Sequence, residues 1–313
     1  MVLITGGMGF IGLHTARRFL DAGEAVVLTR HRALREPSFL RGEPESRMRV
    51  ALLDLADGPA LLDVLRRHHV TSIVHLASPA LNTAPAPAYS SAMAALVNVL
   101  EAGRQHGVSR ITVASSVAVY ADAGRGPWQE ELPLPVESPN YTSAAKKAVE
   151  ILALHFGDRT GLDVVALRLG GIYGPLYHSM ANLPSRLCHA AVRGMAADLE
   201  GLRSGPPYAE AAGDLCYVKD CALGIRLVHT ASSLRHRIYN VGGGRPTTNS
   251  EVASAVARVV PGVRFVLPQG PSAGTETAYM DLTRVCQDAG YVPAFDVTAG
   301  IAEYVAWLRS NPE

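Results

Sequence analysis

The segment TGGMGFIG, residues 5–12, limits the folds open to this chain more than any other stretch. An apolar run, VLIT at residues 2–5, leads into it. Residues 11–22 follow, where Ile11, Ala16, Phe19 and Leu20 share one helical face. Gly6, Gly9 and Gly12 recur at every third position. Glycines so spaced permit a tight turn, let a pyrophosphate approach the backbone and bring helix and strand close together. The helix N-terminus then offers unpaired N–H groups to the anion. Strand, loop and amphipathic helix together predict a dinucleotide site built by Gly6, Gly9, Phe10, Ile11 and Gly12.

Short apolar runs at 25–29 and 72–77 have the texture of parallel strands buried on both faces. Further strands are expected at 110–114 and 164–169, with helices at 91–106 and 143–156. The alternation predicts an α/β fold: a doubly wound parallel Rossmann sheet with a smaller C-terminal substrate-binding domain. The division falls near residue 170. Residues 1–170 form the dinucleotide-binding domain, and 171–313 shape the substrate pocket through Gly- and Pro-rich loops. The parts interleave, because residues 214–242 return to the first. Residues 215–230 read as strand then helix, 238–241 as a strand, and 251–260 and 298–309 as helices.

A formal charge of +1 over 313 residues leaves no chain-wide basic field to draw nucleic acid. Cys188, Cys216, Cys221 and Cys286 match neither a zinc pattern nor a Cys-x-x-Cys pair, so reduced thiols and no metal site are expected. The start MVLITGGMGF lacks the regions of a signal peptide, and no apolar run reaches the roughly 18 residues of a membrane span. The expected partner is a small-molecule substrate, without nucleic acid or membrane, in the cytoplasm.

The choice of dinucleotide falls at the end of the second strand, where an acid would hold the adenosine ribose. The chain has Thr29, Arg30, His31 and Arg32 there. Arg30 or Arg32 can pair with a 2′-phosphate, which favours NADP while leaving NAD possible. Asp54, after the apolar run at 50–53, is a candidate for the adenine amino group.

Several ordered motifs now join the glycine loop: DL at residues 54–55, HLAS at 75–78, SSVAVY at 115–120, RLGGIYGP at 168–175, GDLCYVKD at 213–220 and YNVGGGRPTT at 239–248. With them almost the whole chain resembles an extended short-chain dehydrogenase/reductase, the group of nucleotide-sugar epimerases and dehydratases. The resemblance implies hydride transfer between nicotinamide C4 and a substrate carbon. It also implies cofactor contacts from Leu55, Leu76, Ala77, Ser78 and Lys146, and a serine, Ser116, bonded to the reacting oxygen. The homodimer common in the group would pair helices 91–106 and 143–156.

In that group a tyrosine and a lysine stand four residues apart, about 40° from each other around a helix. The lysine lowers the phenol's pKa so that it can exchange a proton with the substrate. The stretch NYTSAAKK, residues 140–147, departs from this: Tyr141 plus four is Ala145, and the residue four before Lys146 is Thr142. Either Tyr141 holds the family position without its lysine, or Lys146 holds it with Thr142 as partner. The second register keeps a family-like spacing from Lys146 to Glu150 and is preferred. A threonine hydroxyl is a poor general acid near neutrality. Tyr141 can still reach the pocket if it lies outside the helix.

A second departure is Gly171, where many nucleotide-sugar members carry an asparagine that contacts the diphosphate. Arg186, Arg193 or Arg245 can take over that contact. Tyr177 and His178, just after IYGP, are candidates for facing the substrate and supplying the missing acid. The leading expectation is an NAD(P)-dependent oxidoreductase or epimerase acting on a sugar-like, nucleotide-sugar-like substrate. The alternatives are a ketoreductase of a non-nucleotide small molecule and a catalytically silent NADP(H)-sensing protein.

Overall fold

Apolar residues that alternate along a strand without polar interruption must be covered on both faces, and here they are. The structure, a computed structural model, describes residues 1–31, 35–78, 85–202, 205–270 and 275–311. In chain order its elements are β1 (Val2–Thr5), α1 (Phe10–Asp21), β2 (Val26–Arg30), β3 (Met48–Leu52), α2 (Gly58–Arg67), β4 (Ser72–His75), α3 (Pro85–His106), β5 (Ile111–Ser116), α4 (Tyr141–Thr160) and β6 (Val164–Leu169). There follow β7 (Gly171–Tyr173), α5 (Leu183–Arg193), β8 (Ala212–Tyr217), α6 (Val218–Thr230), β9 (Ile238–Val241), β10 (Pro246–Thr248), α7 (Asn249–Val259), α8 (Thr283–Ala289) and α9 (Val297–Ser310).

Seven parallel strands form the main sheet in the order β3-β2-β1-β4-β5-β6-β9. Val2, Ile4, Val26, Leu28, Val165 and Leu167 join the core on the side of α1 and α6. Their neighbours Leu3, Val27, Ile73, Ile111 and Ala166 join the opposite core, under α2, α3 and α4. The strand order reverses between β1 and β4, and the crevice at such a switch point is where ligands of open α/β sheets bind. Within residues 214–242, α6 packs on α1 and β9 hydrogen-bonds β6, whereas β8 lies between β10 and β7 in a second sheet of three strands. Cys188, Cys216 and Cys221 are buried, Cys286 is exposed, and all four are free thiols.

Several helices start earlier than their apolar patterns suggest, α3 and α4 among them. α3 opens at Pro85, a residue suited to a first helical turn because its missing N–H is not needed there. α4 opens at Tyr141 because Asn140 caps it, its side chain accepting the Ser143 amide at 3.0 Å. Tyr141 is therefore a helical residue, and helical angles govern it.

A buried polar network locks α4 to the sheet. Glu150, on α4, accepts from Arg168 Nε at 2.9 Å and from Nη2 at 2.8 Å, with the two side chains 6% and 3% exposed. The Ser115 hydroxyl of β5 donates to the same carboxylate. Arg168 Nη1 donates to the Tyr120 hydroxyl at 2.8 Å, which donates to Asn240 Oδ1 at 2.8 Å. Asn240 in turn donates from its amide to Glu130 Oε1 and from Nδ2 to the Trp128 and Asp281 carbonyls. Removing one partner of such a pair leaves a charge in a medium that cannot solvate it. Glu150→Ala is expected to lower the unfolding free energy by about 3–5 kcal/mol in urea titration, and Glu150→Leu with Arg168→Met to recover most of it. A loss below about 1 kcal/mol in the single variant would show that the pair does not hold the helix.

Candidate functional site

The glycine loop fills the switch-point crevice in a way that admits no side chains. Gly6 has φ +65°, and a Cβ there would stand 2.9 Å from the Ala77 Cα and N. A Cβ on Gly12 would overlap the Gly6 carbonyl oxygen, the group that accepts the Gly9 amide at 2.9 Å to close the turn. The Gly6 amide donates to Thr29 Oγ1 at 3.1 Å, which ties the loop to the end of β2. Gly9 caps α1 without a side chain, and no acidic residue stands in the first turn. The helix's N-terminal donors and its positive dipole end therefore stay available to an anion. A backbone cradle bounded by Leu76 and Ala77 fits a dinucleotide pyrophosphate.

Around the cradle, Phe10 and Ile11 are half-buried. Phe10 packs edge-on against the Tyr177 ring at 5.1 Å, which brings the loop after β7 onto the first turn of α1. Arg30 ends β2 half-buried, and its guanidinium has no hydrogen bond or ion pair among the described residues. Arg32 lies outside the described residues. Sequence reasoning missed Arg35, whose Nη1 donates to the Met8 carbonyl at 2.9 Å and so puts a second cation on the loop. The clustering of Arg30, Arg32 and Arg35 was the available signal. Asp54 is exposed, bonded to the Ala56 amide at 2.9 Å and 3.9 Å from His31 Nδ1, and Leu55 gives its carbonyl to Asn98. Ser78 is exposed.

The register of α4 can be read from what its side chains hold. Lys146 Nζ donates to the Ala114 carbonyl of β5 at 2.7 Å, two residues before Ser116. Burial of the ammonium, only partly offset by the attraction of Glu150, pulls its pKa down to about 8. His75, quoted above only as part of HLAS, lies within the lysine's electrostatic reach. Its Nδ1 bonds Thr5 Oγ1 at 2.7 Å, and burial, with Lys146 adding repulsion, pulls its pKa to about 3, so the ring is neutral near pH 7. Tyr141 turns elsewhere: its hydroxyl donates to the Ala88 carbonyl of α3 at 3.2 Å and its ring lies 4.7 Å from that of Tyr89. Burial, then Tyr89, raise the phenol's pKa further. Five residues apart, Tyr141 and Lys146 stand about 140° from each other on the helix, against about 40° for Thr142 and Lys146.

Ser116 Oγ accepts the Ala118 amide at 3.2 Å, capping a short 3-10 turn, and its proton remains free to donate. On the substrate side His178 is exposed, and Arg186 is engaged by the Met180 carbonyl and by Asp198 Oδ2 at 2.6 Å. Arg245 is exposed and paired with Glu251 at 3.2 Å, and Arg193 is exposed on the last turn of α5. Gly171 is half-buried, and a Cβ there would stand 2.8 Å from the Asp214 carbonyl oxygen. Asp214 itself, inside GDLCYVKD, accepts the Gly243, Gly244 and Met280 amides and so joins the two sheets rather than facing a ligand. Among the described residues no helix is long and apolar enough to cross a membrane.

A family model, the NAD dependent epimerase/dehydratase family, matches residues 2–242. The chain is 30% identical to a dTDP-glucose 4,6-dehydratase of Streptomyces griseus over 99% of its own length and 94% of the relative's. Among solved structures it is similar to the Thermus thermophilus UDP-glucose 4-epimerase in complex with NAD, with TM-score 0.81 at 27% identity over 98% of each chain. It is also similar to MoeE5 in complex with UDP-glucuronic acid and NAD, with TM-score 0.80 at 28% identity over 99% of each chain.

The lowered Lys146 pKa gives a sign to test. Were the ammonium to hold dinucleotide hydroxyls, it would do so best while protonated, so binding would be strongest well below pH 8 and weaken as pH rises through that value. The expected loss is roughly threefold to tenfold in Kd between pH 7 and pH 9.5, and Lys146→Met should show the weak value throughout. An equal pH dependence in the two proteins, measured by calorimetric titration, would remove Lys146 from the binding site.

Proposed function

Because the chain belongs to the NAD dependent epimerase/dehydratase family, we propose that it is an oxidoreductase or epimerase of the extended short-chain dehydrogenase/reductase type acting on a nucleotide-sugar-like hydroxy or keto compound. The reading rests above all on Lys146, fixed on the Ala114 carbonyl two residues before Ser116, beside a glycine cradle shaped for a dinucleotide. The nucleotide sugars named for its relatives support the substrate class. Residues 1–170 hold the dinucleotide in this reading and 171–313 the substrate.

When bound, the dinucleotide supplies or takes up a hydride at nicotinamide C4. Arg30, half-buried and unpaired among the described residues, favours NADP, whose 2′-phosphate would give it a partner. The Ser116 hydroxyl holds the substrate's reacting oxygen and stabilises charge developing there. Lys146, at about 8, is the group able to exchange a proton near neutrality. Thr142, one turn earlier on the same face, relays the proton without holding charge. Tyr141 positions the helix against α3 through Ala88 and is not the acid. Tyr177, packed on Phe10, closes the pocket beside His178.

One observation favours the ketoreductase alternative over a nucleotide sugar: Arg186 is committed to Asp198, and Gly171 offers no side chain to a diphosphate. Turnover with simple ketones but with no nucleoside-diphosphate sugar would select it. Binding of NADP without turnover on either panel would select the silent sensor.

In steady-state assays Tyr141→Phe is expected to stay within about threefold of the parent, while Thr142→Val and Lys146→Met lose roughly 10²-fold and 10³-fold in kcat. A collapse in the tyrosine variant alone would restore the phenol as acid. Arg30→Gln should weaken NADP about tenfold and leave NAD unchanged. A homodimer is proposed as well, because Val97 on α3 and Ile151 and Leu152 on α4 are 51%, 68% and 43% exposed. Ile151→Glu should then sediment as a monomer where the parent sediments as a dimer.

A further inference from the structure

Behind the glycine loop, α1, α6 and α9 enclose a cavity of about 570 Å³, within the range of small-molecule sites. Phe39 and Trp307, with ring centroids 5.5 Å apart, and Phe295 give it an apolar wall. Its cations are not equivalent. Arg17 is neutralised by Asp21 at 2.8 Å and Glu43 at 2.6 Å, and Lys219 by Glu303. Arg18 has no ion pair among the described residues. Its Nε donates a long 3.4 Å bond to the Lys219 carbonyl. Asp220, whose carboxylate feels its charge, is held by the Ala294 and Phe295 amides at 3.1 and 2.9 Å.

The ring of Tyr217, 1% exposed, completes the wall. Its hydroxyl has almost no accessible surface, so nothing held in the cavity touches it. Burial, then Glu303, raise its pKa. His14, also in the lining, ties α1 to the Pro175 carbonyl at 3.1 Å. Burial pulls that ring's pKa to about 4, so it adds no charge near pH 7.

We propose that this cavity is a second binding site, separate from the dinucleotide loop, for a small amphipathic anion: a flat apolar body against Phe39 and Trp307 and an acidic head on Arg18. The site does not depend on the catalytic reading, since it takes its ligand without turnover.

The probe is 8-anilinonaphthalene-1-sulfonate, titrated calorimetrically into the full chain with and without saturating NADP. One molecule should bind per chain in both cases. Arg18→Gln should weaken it at least about tenfold, whereas Tyr217→Phe, which removes a hydroxyl sealed from the cavity, should leave it unchanged. Ala306→Trp, at an exposed rim position, should abolish binding by filling the mouth while the thermal unfolding midpoint stays unchanged. Displacement of the probe by NADP, or undiminished binding in Ala306→Trp, overturns the proposal. The rim variant decides the matter even if Arg18→Gln fails to fold.

Discussion

The bidentate bond between Glu150 and Arg168 sets the rotational phase of α4, and the candidate chemistry depends on that phase. A helix packed on a sheet by apolar contacts alone can roll by tens of degrees at small cost, because dispersion contacts are weak singly and non-directional. A carboxylate held by two nitrogens of one planar guanidinium cannot, since rotation would break both bonds in a place without water. Lys146, one turn before Glu150, is thereby presented to the end of β5, where the Ala114 carbonyl receives it. Tyr141, nine residues before Glu150 and about 180° from it, is carried to the opposite side and meets α3.

The same phase bears on the two readings of NYTSAAKK. The alternatives differ by one residue, or about 100°, and no local propensity separates them. What turns Lys146 to β5 and Tyr141 to α3 is a partner 18 residues downstream on β6 and the strand order that sets β6 beside β5. The glycine loop was legible because its meaning is local: each glycine answers to an atom within the same strand, turn and helix or in the adjacent strand end. The strands were legible for a similar reason, since burial on both faces writes itself as an unbroken apolar run.

Other parts could not be read so. Arg186 looked like a free cation for a diphosphate, and its engagement by Asp198 depends on how the chain folds back after α5. Ser116 was assigned by resemblance, and its role as cap of the following turn is compatible with that assignment because accepting an amide leaves its proton free. The early start of α4 follows from Asn140, a capping signal three residues ahead of the pattern that marked the helix. Arg35 escaped notice because it lies five residues beyond the strand end where an adenosine contact is sought, and only the return of the chain brings it to Met8.

The network also bears on why a lysine could carry a proton that a tyrosine carries elsewhere. Glu150 is the carboxylate nearest in sequence on the lysine's face, but its charge is already matched by Arg168 and it accepts the Ser115 hydroxyl as well. His75 is held neutral by burial and so adds no repelling charge. Lys146 is thus left with a carbonyl dipole and a carboxylate whose field is largely cancelled, so burial dominates and the ammonium loses its proton near pH 8. A phenol on Ala88, raised rather than lowered, has the opposite environment. The pairing of Glu150 with Arg168 in the core therefore leaves burial as the main influence on the Lys146 ammonium.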